Sequence, residues 1–127
     1  MIIDINNANK KEKLLITKAI WFAKDKLLPK HKNLDIEIHL KKNLDVCGNV
    51  VDGDYKRHFI MEVKKSQDKD DFLTTLFHEF THIAQAVRGQ NIFSLEYCET
   101  DYLDRPFEIE AYEMQEKLLK EFELERL

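Results

Sequence analysis

Residues 72–87 constrain this chain more than any other segment. Phe72, Leu73, Leu76, Phe80, Ile83 and Val87 recur at the spacing of one helix face, a face that is stable only when buried. The opposite side carries His78 and His82, but also Phe77 and Ala84, so that side too reads as covered. Asp70 or Asp71 is placed to cap the helix, and Gly89 to end it. A helix needing cover on both sides has to lie between other elements of the fold.

The histidines belong to the sequence TLFHEFTHIAQ, which contains H-E-x-x-H. Residues four apart on a helix lie one above the other, so His78 and His82 can aim ring nitrogens at one metal ion. Glu79 sits about 100° round the helix, in reach of a water on that ion without being forced to bind it. A catalytic zinc takes three protein ligands and leaves a position for water. No histidine follows His82, and the positions three and six residues beyond it are Gln85 and Arg88. The third ligand is therefore a downstream carboxylate, or else His58 or a cysteine.

A last helix opens at Pro106 in RPFEIE and buries Phe107, Ala111, Met114, Leu118 and Phe122. Glu108 and Glu110 flank that stripe almost symmetrically, each about 80° from its centre, while Glu113 points further away. Periodicity leaves Glu108 and Glu110 equally open as ligands.

Upstream, residues 8–28 read as a helix stopped by Pro29, and residues 35–42 alternate as a strand with one wet face. Residues 47–54, with Gly48 and Gly53, enter a turn from which residues 58–64 return as a strand. The order is helix, three strands, helix, helix: an α+β domain spanning residues 1–127, not a βαβ one. A length of 127 residues suits one domain. The net charge of −4 argues against nucleic acid and anionic membranes as partners. Residues 1–13 lack the apolar core of a signal peptide and no run reaches transmembrane length, which points to the cytoplasm. Cys47 and Cys98 form no CxxC and too small a set for a disulfide framework. His31, His39 and His58 read as exposed or strand-surface histidines.

LFHEFTHIAQ followed by RPFEIEAYEMQ resembles the short gluzincin-type zinc metallopeptidases, the compact minigluzincins of bacteria and phages. The resemblance covers two motifs, residues 72–90 and 105–115. It implies a zincin-like fold: an N-terminal helix, a small three-strand sheet with antiparallel pairing, the HExxH helix and a C-terminal helix carrying the third ligand. The family's E-x-x-A falls on Glu108 to Ala111, which makes Glu108 the ligand, lets Ala111 admit close helix packing and leaves Glu110 as an outer carboxylate. Where many relatives carry Asp or Asn after that alanine, this chain has Tyr112. One Zn2+ ion on His78, His82 and Glu108 is implied, with Glu79 as general base of a zinc-dependent endopeptidase acting on a peptide or protein. Tyr102 is the candidate donor to the transition state, with Tyr97 and Tyr112 beside it. In related folds the strand at residues 58–64 pairs with extended substrate, the alternative here being an ordinary sheet edge, and residues 1–13 are a segment able to cover a cleft. The alternative is a catalytically silent zinc-fold module that binds or regulates a partner and has no need of Glu79.

Overall fold

The computed structural model describes residues 1–90 and 105–125. In chain order these form β1 (Ile2–Asn6), α1 (Lys10–Leu27), β2 (Asp35–Lys41), β3 (Gly48–Asp52), β4 (His58–Lys64), α2 (Lys69–Val87) and α3 (Pro106–Glu125). The architecture is α+β, with three helices and a four-stranded mixed sheet of order β1-β2-β4-β3 among the described residues. None of these helices is long and apolar enough to cross a membrane.

The sheet differs from the three-strand expectation because residues 2–6 form a strand of their own. β1 pairs in parallel with β2, Ile3 beside Ile36 and Ile5 beside Ile38, so β1, α1 and β2 make a parallel crossover unit. The expected exclusion of βαβ is overturned. This placement also removes residues 1–13 as a cleft cover, since β1 occupies the sheet edge opposite β3. β2 is parallel to β4, and β3 returns antiparallel along β4 as the turn chemistry implied. Gly53 N–H donates to His58 O at 2.7 Å to open that turn, and Arg57 closes it with a φ of 65°.

Strand alternation decides which face is buried. Ile36, Ile38 and Leu40 of β2 and Phe59, Met61 and Val63 of β4 join one apolar cluster with α1 and α2. α1 starts with a capping box: Asn9 Oδ1 accepts from Glu12 N–H, and Glu12 Oε1 accepts from Asn9 N–H. α2 is capped differently from the expectation. Asp68 is its N-cap residue without a side-chain bond, and Asp70 and Asp71 lie in the first turn, where they favour the helix dipole. At its end Gly89, with φ of 91°, lets Gln90 N–H reach Gln85 O and Gly89 N–H reach Ala86 O, closing the last turn.

From Phe72 to Gln85 every residue of α2 except Thr74 is buried, so the helix is covered on both sides. On the side away from the sheet core, the Phe77 ring lies 6.2 Å from Phe22 of α1 and 5.6 Å from Phe122 of α3; Phe22 and Phe122 are 5.2 Å apart. Such aromatic pairs contribute about 0.5–1.5 kcal/mol each beyond area burial. This trio fixes α3 against α2, and Ala111, fully buried, lets the helices approach closely.

Candidate metal centre

The helix phase of α2 puts His78 and His82 one turn apart, and the first turn of α3 brings Glu108 against both. Glu108 Oε1 lies 3.0 Å from His78 Nε2 and 2.7 Å from His82 Nε2. All three side chains are buried, and one ligand atom from each lies within 4.8 Å of the others. This group can hold a metal ion. The separations compare with about 3.3 Å for the edge of a tetrahedron built on typical zinc bonds.

The hydrogen bonds around the rings test that fit. The Gln85 amide nitrogen donates to Phe107 O at 2.9 Å and Glu110 Oε1 at 2.8 Å, which leaves its oxygen facing His82 Nδ1 at 2.8 Å. A carbonyl oxygen only accepts, so His82 Nδ1 carries the proton. His78 Nδ1 lies 2.7 Å from Gln115 Oε1 and donates in the same way. In the neutral form of each ring, Nε2 is therefore unprotonated and points towards the same carboxylate oxygen. Lone pairs from three atoms converging on one point call for a cation between them, and imidazole with carboxylate suits a divalent metal.

Without an ion, a proton is favoured in its place. Burial pulls the His82 pKa down, but hydrogen bonds to Glu108 and Gln85 and the charges of Glu79 and Glu108 leave it raised above the ordinary histidine value. Glu79 is raised as well: burial pushes it up and the Glu108 charge adds to that, against the opposing pull of His82 and His78. Among the described residues no side chain hydrogen-bonds the Glu79 carboxylate. It faces a cleft of about 510 Å³ shared with His78, Thr75, Tyr112, Gln115 and residues 46–48.

The cleft has its width because β3 crosses α2 closely. A Cβ on Gly48 would stand 2.6 Å from Thr75 Cγ2, 3.0 Å from Glu62 O and 3.4 Å from Glu79 Cγ, so a larger residue forces a shift beside the glutamate. β3 is an edge strand. Its odd-numbered neighbours bond inward, as Lys64 N–H to Cys47 O and Gly53 N–H to His58 O show, so Gly48 and Val50 turn their backbone groups away from β4.

The remaining sequence candidates fall as follows. Glu110 does not face the rings; it accepts from Gln85. Tyr112 is 41% exposed and stands edge-on to His78 at 4.7 Å, at the cleft wall. Tyr97 and Tyr102 lie outside the described residues. His58 is not a surface histidine as expected. It is buried at the start of β4, stacked on Tyr55 and bonded to Glu37, away from the metal group. β4 is flanked by β2 and β3, so it has no free edge for a peptide; among the described residues the edge strands are β1 and β3, and β3 is the one beside the cleft. Sequence reasoning missed Gln85 and Gln115. Both were findable by helix spacing, Gln85 three residues after His82 and Gln115 seven after Glu108, each on its partner's face.

No protein-family model, no curated protein and no solved structure matches this chain.

Proposed function

We propose that the protein is a zinc-dependent peptidase of the zincin type, with His78, His82 and Glu108 holding one zinc ion. The observation that carries this reading is the convergence of two ring nitrogens, each unprotonated when its ring is neutral, and a carboxylate oxygen beside a cleft that also receives Glu79. A zinc ion bound there would polarise a scissile carbonyl and acidify a water.

The chain's own residues supply the rest. Glu79, without a hydrogen-bonding side chain among the described residues and facing the cleft, accepts the proton of a water as its oxygen bonds to the carbonyl carbon. It then delivers that proton to the amide nitrogen as the carbon–nitrogen bond breaks. Burial raises its pKa towards the working range of a general base. An extended peptide lying along β3 can bond to the outward backbone groups of Gly48 and Val50, which would draw its main chain past Glu79.

Metal analysis combined with cleavage of a mixed-peptide pool tests the proposal. Wild type is expected to bind one zinc ion and cleave, while Glu79→Gln retains the ion and loses about 10²–10⁴-fold in turnover. A Glu79→Gln protein that cleaves as well as wild type would sink the assignment of the base. Equal binding of a partner by both proteins, with no cleavage by either, would favour a silent binding module.

A further inference from the structure

Resting on the reading of His78, His82 and Glu108 as a divalent metal group, we infer that Gln115 and Gln85 are its positioning residues, and that their neutral amides tune how tightly the ion is held. Among the described residues each histidine has one outer partner, and in both cases it is an amide oxygen: Gln115 Oε1 at 2.7 Å from His78 Nδ1, Gln85 Oε1 at 2.8 Å from His82 Nδ1.

The two amides are held in place unequally. Gln85 is fully buried, and both its donations are made to α3, to Phe107 O and Glu110 Oε1. Its orientation is thereby fixed from the segment that also carries Glu108, so docking of α3 sets the His82 ring and delivers the third ligand together. Gln115 is half-buried, lines the cleft and, among the described residues, donates a 3.3 Å bond to Glu116. It reaches from α3 across to α2, so each histidine is oriented by a group tied to the opposite helix.

Charge gives the choice of amide a consequence. Two neutral imidazoles and one carboxylate around a divalent ion leave the centre with a net charge of about +1. A carboxylate behind a ligand histidine makes the ring more basic and adds a negative charge nearby, and outer partners of this kind alter metal affinity by about 10–100-fold. The amides fix ring direction without that added charge. The centre stays electron-poor, which favours polarising a carbonyl over the tightest retention of the ion.

Gln115 provides the clean test because it is not deep in the core. Zinc affinity of the full chain is measured by competition with a chromogenic chelator, without reference to turnover. Gln115→Met, which keeps the volume and loses the acceptor, is expected to weaken zinc binding by about 10-fold or more. Gln115→Glu is expected to tighten it relative to wild type by a similar factor. A merely structural role would move both variants the same way, so equal weakening, or no change in either, overturns the inference. Gln85→Met serves as a second probe, with its thermal unfolding recorded alongside, and is expected to weaken zinc binding as Gln115→Met does. If wild type itself binds no zinc, the metal-centre reading fails, and that outcome is distinct from a wild type that binds zinc and ignores Gln115.

Discussion

Two histidine pairs in this molecule each share one glutamate, and they are wired in opposite senses. In the sheet, His58 Nε2 lies 3.1 Å from Glu37 Oε1 and His39 Nε2 lies 3.3 Å from Glu37 Oε2. His58 Nδ1 accepts from Asp54 N–H at 3.0 Å, so the proton of the neutral ring sits on Nε2 and donates to Glu37. That arrangement is complete without an ion. Between the helices, Nδ1 of both rings is committed as a donor, and both Nε2 atoms meet a single oxygen of Glu108. The residue types match, yet one set forms ordinary hydrogen bonds and the other gathers lone pairs. Proximity of histidine to carboxylate does not make a metal group; the position of the protons does.

The strongest way to break this comparison is to delete one histidine from each pair. His82→Asn is expected to reduce bound zinc from one ion per chain to none retained through desalting, because two ligands hold the ion far less well than three. His58→Asn is expected to leave one ion bound. Retention by the first variant, or loss by the second, would show that the two pairs have been read the wrong way round.

A smaller effect separates the glutamates. Glu37→Gln is expected to lower folding stability by about 1 kcal/mol, the scale of one hydrogen bond to a buried group, with zinc content unchanged. Urea unfolding of the variant beside metal analysis checks both halves.

The smallest effect is on pH. In protein freed of metal, His82 and Glu79 both have raised pKa values, so the folded chain binds their protons more tightly than the unfolded chain. The stabilisation from the His82 proton is fully present below the unfolded histidine value of 6.5 and is lost as pH rises through the higher folded one. Ionising buried Glu79 costs stability over a range that begins above 4.5, its ordinary value. The melting temperature of metal-free protein should therefore fall as pH rises above 4.5 and on past 6.5. The zinc-induced rise in melting temperature should grow over the same interval. A metal-free melting temperature that climbs across it contradicts the proton placement.

Much of this was legible in sequence because the decisive elements are long and periodic. α2 carries its signal over several turns, and Pro106 marks where α3 begins. β1 escaped because it has five residues and pairs with a strand 33 positions further on, a parallel contact that leaves no local turn signature. Glu108 and Glu110 were symmetric about the buried stripe of α3. They separate only in three dimensions, where the rotation of α3 on Ala111 and Phe107 turns Glu108 to the rings and Glu110 to Gln85. His58 looked like a surface residue because its neighbours alternate as a strand; the Gly53 turn and the Tyr55 ring that enclose it are tertiary.

The aromatic trio of Phe22, Phe77 and Phe122 has a consequence for how an ion would be received. Joining His78 to Glu108 closes a loop spanning 30 residues, and in a flexible chain such closure costs about 3 kcal/mol of entropy plus a constant. In small zinc modules the ion itself must meet that cost, and the chain is unfolded without it. Here packing at the far end of α3, about 21 Å along the helix from Glu108, has already met it. Arrival of the ion is then capture by a waiting socket and not a folding reaction, and chelation should leave a chain that is folded, empty and ready to be refilled.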